Sequence, residues 1–175
     1  MRWSLIIAVL AALAAAPVSA AEPKSLAVVR PRLVGNDNPA LADEVAALLA
    51  TGVGEAPVRR LPAADVDRVA GPCDDERCAS RLRDQLRADL VLRATLTQTG
   101  RDFKLRLELL EARGGTIVVT SEEACDLCGR GELQAQVAAQ IDRLLPALRA
   151  AAMDPPRLQV VTDPPEAKVH GAAGT

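Results

Sequence analysis

The chain has 175 residues, 49% of them apolar and 25% charged, with a formal net charge of −2 at pH 7. This length fits one domain, or one domain with a fragment beside it, and the charge gives no broad pull on nucleic acid or other polyanions. Trp3 and Phe103 are the only aromatic residues, so there is no platform for stacking bases or sugar rings, and the core has to be built from Ala, Leu and Val.

Residues 1–20, MRWSLIIAVLAALAAAPVSA, have the three parts of a secretory signal peptide. Arg2 is the basic start, Leu5 to Ala16 the apolar run, and Val18-Ser19-Ala20 the small residues at the cleavage position. Cutting after Ala20 or Ala21 is equally allowed, and either cut sends the chain to the periplasm or out of the cell. A membrane anchor is the competing reading. Against it, the apolar core is short for a span and Pro17 interrupts it. No cysteine lies near the cut, so a lipid anchor of the bacterial lipoprotein kind is not indicated. No later segment is apolar enough to form a transmembrane helix.

Leu26 to Val29 reads as a compact apolar strand ended by Arg30-Pro31. The turn Gly35-Asn36-Asp37-Asn38 leads into a helix over Pro39–Thr51. Asn38 suits the cap and Pro39 the first helical position, and Leu41, Val45, Leu48 and Leu49 face inward. Val58 to Leu61 is a short edge strand and Ala63 to Ala70 a short helix, broken by Gly71-Pro72. A cysteine-closed loop, Cys73 to Cys78, opens the next helix, whose inward stripe is Cys78, Ala79, Leu82 and Leu86.

Three runs of alternating residues follow. Leu90, Leu92, Ala94 and Leu96 alternate with Val91, Arg93, Thr95 and Thr97. After the turn at Gly100, Phe103, Leu105, Leu107 and Leu109 form one face, with Lys104, Arg106 and Glu108 on the other. Arg113-Gly114-Gly115 turns the chain again into Thr116–Thr120. These runs predict a three-stranded antiparallel meander. Leu133, Val137, Ile141, Leu144, Leu145 and Leu148 then mark a long amphipathic helix from Gly131 to about Ala151, stopped by Pro155-Pro156. The fold class expected is α/β (α+β), with helices packed on a mixed sheet.

The four cysteines, Cys73, Cys78, Cys125 and Cys128, are spaced C-x4-C and C-x2-C. An even number in an exported chain reads first as disulfides. The expected topology sets both pairs at the same end of the domain, so local and crossed pairings are both open. Chain entropy favours crossed bridges, which close longer loops. Proximity in sequence favours the local pairs, Cys73 with Cys78 and Cys125 with Cys128. Two sharper readings use the same residues. C-x2-C before a helix suits thiol–disulfide exchange, but Glu122, Glu123 and Asp126 would raise the thiol pKa there. Four thiolates would also suit zinc, which an oxidising compartment disfavours.

The remaining candidates read as structure. Asp74, Asp75 and Glu76 are a solvated helix start rather than a cation site. Glu122-Glu123 is a solvated strand end, and Arg77, Arg81, Arg83 and Arg87 give one helix a basic flank. Gly129-Arg130-Gly131-Glu132 lacks the glycine pattern and lysine of a phosphate loop. His170 is the sole histidine and lies in the tail, so no Ser-His-Asp or Cys-His set assembles in the folded part. No catalytic residues, metal ligands or cofactor are expected, and nothing assigns the binding residues.

From Cys73 to Glu108 the order of C-x4-C, amphipathic helix, Ala-Asp-Leu-Val-Leu, glycine turn and alternating leucine strand resembles the bacterial envelope α/β domains of the TolB amino-terminal and CsgG-like group. That resemblance implies periplasmic assembly or binding work, with an envelope protein or cell-wall component as partner. Further on, Val160-Val161-Thr162-Asp163-Pro164-Pro165-Glu166-Ala167-Lys168-Val169 resembles the opening of a PEGA domain, with Glu166 where that family usually has glycine. The expected organisation is a signal peptide over 1–20, an α/β envelope domain over 25–151, a Pro-rich linker over 152–157 and an incomplete PEGA-like segment over 158–175. The function expected is non-enzymatic binding or scaffolding in the cell envelope. The alternative is a periplasmic thiol-redox or zinc protein built on the four cysteines.

Overall fold

The computed structural model describes residues 22–71, 73, 75 and 77–153. The signal peptide, His170, the PEGA-like segment and most of the linker lie outside the described residues. Ten elements follow in order: β1 (Ser25–Val28), β2 (Arg32–Val34), α1 (Pro39–Gly52), β3 (Arg59–Arg60), α2 (Ala63–Ala70), α3 (Arg77–Leu86), β4 (Leu90–Thr99), β5 (Asp102–Glu111), β6 (Ile117–Cys125) and α4 (Arg130–Ala152). They form a mixed sheet with its helices packed on it, and β4, β5 and β6 are its antiparallel meander.

The strand order is β3-β1-β4-β5-β6, with β2 alongside β4 beyond the end of β1. β1 pairs parallel with Leu90–Leu92 of β4, and β2 pairs parallel with Thr95–Thr97 of the same strand. Between them Pro31 has no amide hydrogen to give, so the ladder breaks for a few residues and then resumes. β2 escapes the sequence pattern because it has only three residues, and Arg32 and Val34 are both exposed.

Local chemistry explains the helix starts and close packing. The Asn38 side chain accepts from the Ala40 amide at 3.1 Å, with Pro39 inside the first turn. At the other end of α1, a Cβ on Gly52 would come within 2.7 Å of Ile141 Cγ2, so only glycine lets α4 approach there. Ser25 and Asp89 latch β1 to the start of β4. The Ser25 amide donates to Asp89 Oδ2 at 2.8 Å, and Ser25 Oγ donates to the Arg87 carbonyl at 2.5 Å.

The two sheet faces are covered unequally. On the first, α1 and α4 bury Leu90, Leu92, Ala94 and Leu96 of β4 with Leu105, Leu107 and Leu109 of β5. The inward stripe expected for α4 is buried throughout. On the second face α2 and α3 cover Ala27, Val29, Val91 and Leu110. α3 has ten residues and so spans about 15 Å, whereas ten-residue β4 spans about 33 Å. The helices therefore run out midway along the strands, and the rest of the second face is open.

Candidate functional site

The open half of the second face is a polar trough of about 370 Å³. Strand register builds it in cross-strand rows. Arg93 of β4 lies opposite Glu108 of β5, which faces Thr120 of β6. The next row runs Arg32, Thr95, Arg106, Glu122 across β2, β4, β5 and β6. The third runs Val34, Thr97, Lys104, Ala124. Alternation sends the leucines between these positions into the first core, so the same periodicity that builds the core builds the trough.

Glu108 is the anchor. It is 5% exposed and receives both flanking guanidiniums. Arg93 Nε donates to its Oε2 at 2.8 Å and Arg106 Nη2 to its Oε1 at 2.7 Å. A carboxylate this buried needs such partners. Lys104 Nζ meets Glu122 Oε1 at 2.6 Å, and this bond holds the Glu122 carboxyl below its ordinary range. Cys73 lines one side of the trough. Cys73 and Arg93 also line a second cavity of about 280 Å³ that reaches Val91, Gly115 and Ile117.

Cys73 is joined to Cys78 and Cys125 to Cys128, with Cα–Cα distances of 5.2 and 5.7 Å. The two bridges sit on opposite faces of the sheet. Cys78, in the first turn of α3, is buried in the second core, while Cys125 pairs with Phe103 beside the first. The expectation of both pairs at one end of the domain did not anticipate that the sheet lies between them. α3 lies over the second face, so its start is level with Arg93, whereas β6 runs on to the level of Phe103 at the far end.

Several acidic and basic residues form caps and ion pairs, while Asp74 and Glu76 lie outside the described residues. The Asp75 carbonyl accepts from the Cys78 amide at 3.3 Å, opening α3. Arg81 bonds the Asp75 side chain at 3.1 Å, which keeps that carboxyl below its usual range, and also reaches the Ala70 carbonyl at 3.1 Å. Arg83 bonds Asp84. Glu123 pairs with Arg143 of α4. Glu132 accepts from the Gly129 amide at 2.7 Å, and Arg130 pairs with Glu44, so Gly129–Glu132 is a helix cap clamped to α1. Among the described residues no group of three or more His, Cys, Asp or Glu is disposed to hold a metal ion, and no helix is long and apolar enough to cross a membrane.

Sequence reading placed Arg93, Thr95, Thr97, Lys104, Arg106 and Glu108 on polar strand faces but did not assemble them. The signal was available in the hairpin around Gly100, whose register fixes Arg93 opposite Glu108 and Thr95 opposite Arg106. Arg32 carried no such signal, because β2 itself was not apparent.

No protein-family model matches the chain, and no curated protein matches it. Among solved structures it is similar to lipoprotein GNA1162 from Neisseria meningitidis, with 20% identity over 70% of this chain and 96% of that one and a TM-score of 0.48. The LpoB C-terminal domain from Salmonella enterica shares 14% identity over 62% of this chain and 86% of that one, with a TM-score of 0.46. TolB from Acinetobacter baumannii shares 13% identity over 73% of this chain and 28% of that one, with a TM-score of 0.48.

Proposed function

We propose that this chain is an exported, non-enzymatic binding or scaffolding module of the cell envelope, and that it meets its partner at the open half of its sheet. One observation carries the reading. A four-strand platform holds Arg93, Arg106 and Glu108 in one ion-paired cluster at the edge of the helix-covered part of the face. Charged groups held in place before binding lose little freedom on meeting a partner, which is how recognition surfaces gain affinity. The leader-like residues 1–20 and two disulfides agree with an oxidising compartment. Under the alternative the cysteines are the site; bridged, they offer no thiolate to zinc, and a redox role would need a bridge to exchange with a substrate thiol.

The test is site-specific photo-crosslinking in the native host, with the full chain exported by its own leader. A crosslinker at Thr95, in the trough, is compared with one at Ala138 on the exposed side of α4. The expected result is a discrete adduct with an envelope component from Thr95 and none from Ala138. No adduct from Thr95, or the same adduct from both positions, would overturn the reading.

A further inference from the structure

The charges of the trough do not balance. Arg32, Arg93, Lys104 and Arg106 line it, against only Glu108 and Glu122. The chain as a whole carries a formal −2, so this patch has the opposite sign to the molecule. A solvated strand face needs polar residues, and serine, threonine or glutamine would serve. Solvation explains the polarity of these rows but not their excess of cations.

The donors are also arranged for use. A guanidinium has five N–H groups. Glu108 takes Nε and Nη2 of Arg93 and Nη2 of Arg106, which fixes both planes and leaves their other N–H groups for a second acceptor. Arg32 makes no ion pair among the described residues. Thr95 and Thr97 add hydroxyl donors to the floor. Arg32 and Arg106 lie on one row two strands apart, so their backbones are about 10 Å from each other. Long arginine side chains close that span onto one multiply charged molecule.

We infer that the trough binds a small polyanion, a ligand bearing two or more carboxylate or phosphate groups, held chiefly by Arg32 and Arg106 with Glu108 as the positioning residue between Arg93 and Arg106. This rests on the reading of the open face as the binding surface and names the ligand chemistry of that face.

The test titrates the exported, disulfide-intact protein in low-salt, phosphate-free buffer with citrate and, separately, pyrophosphate, following backbone amide NMR shifts. Saturable shifts should cluster at Arg32, Arg93, Thr95, Thr97 and Arg106 with at least one of the two. Citrate alone would identify a carboxylate site, pyrophosphate alone a phosphate site, and either supports the inference. Arg32→Gln and Arg106→Gln should each weaken binding about tenfold, as expected for one charge-assisted contact. Glu122→Gln should tighten it about threefold, because it removes a negative charge and releases Lys104. Arg32 is exposed, so its variant keeps the fold and remains a fair test where Arg106→Gln disturbs the Glu108 clamp. The inference is overturned by no saturable shift from either anion up to about 10 mM. It is equally overturned by shifts scattered over exposed Arg101 and Arg113 that Arg32→Gln leaves unchanged. If both anions fail while Thr95 still gives its adduct, the binding reading stands and this inference alone falls.

Discussion

Arg93 and Glu108 stand directly opposite each other in the β4–β5 register, with Arg93 Nη2 2.7 Å from Glu108 Oε2. The same carboxylate holds Arg106, so one nearly buried acid bridges two cations. Glu108→Ala would leave two guanidiniums side by side without the carboxylate that they share. Removing one member of a fully buried pair costs about 3–5 kcal/mol. Arg106 is half-exposed, so solvent offsets part of that cost, and about 2 kcal/mol is expected here. Arg106→Ala, which leaves Glu108 its Arg93 partner, should cost about 1 kcal/mol or less. Urea unfolding checks both. A Glu108→Ala midpoint equal to that of the unaltered protein would mean the clamp contributes nothing to the fold.

The clamp between α1 and α4 predicts an acid-sensitive stability. Glu44 bonds Arg130 and Gln134, and these bonds hold its carboxyl below its ordinary value of 4.5. The folded-state value lies below the unfolded one, so the contribution is complete above the unfolded value and is lost as pH falls through the folded value. Glu122 with Lys104 and Asp75 with Arg81 act in the same direction. Glu44→Gln should therefore lower the melting temperature at neutral pH and leave it nearly unchanged in strong acid. Parallel melting curves for the two proteins across the whole acid range would refute the linkage.

Most of the fold was legible because it follows two simple periods. The leucines of β4 and β5 alternate strictly, glycine turns separate the strands, and the apolar stripe of α4 recurs at helical spacing. Asn38-Pro39 marked the start of α1 to the residue. What stayed hidden depends on what lies above a strand. Whether Arg93, Arg106 and Glu108 are a solvated face or a walled trough is decided by where α3 starts and by where Cys73 sits. Neither is written in the strands themselves. β2 stayed hidden for a different reason, since three residues after a proline show no alternation to read.

Gln140 predicts a substitution that helps. It is wholly buried in α4, where its Nε2 donates to the Leu105 carbonyl at 3.3 Å. Among the described residues its Oε1 has no hydrogen-bond partner. A buried amide oxygen left unpaired costs about 1–3 kcal/mol, more than one long neutral bond returns. Methionine fills similar space without that oxygen. Gln140→Met should raise stability by about 1 kcal/mol in urea unfolding. A loss of stability would show that the Leu105 bond outweighs the unpaired oxygen.

The two disulfides make the last prediction, and it separates stability from binding. Each closes a very short loop, so chain entropy assigns about 2 kcal/mol to either one. Their surroundings differ. Cys73 lines the trough and Cys78 is buried in the first turn of α3, so losing this bridge frees a lining residue of the site as well as the start of a helix. Cys125 and Cys128 join the end of β6 to the approach of α4 on the other face. Replacing either pair with alanine should lower stability by a similar amount, about 2 kcal/mol. Only the Cys73→Ala/Cys78→Ala variant should also weaken the anion response at Arg93 and Thr95. Intact mass measures the starting state. The exported protein should gain four hydrogens on reduction and take up no alkylating agent before it. Alkylation without reduction, or zinc retained in the folded protein, would make the cysteines themselves the functional site, and the binding-module reading would then have to be abandoned.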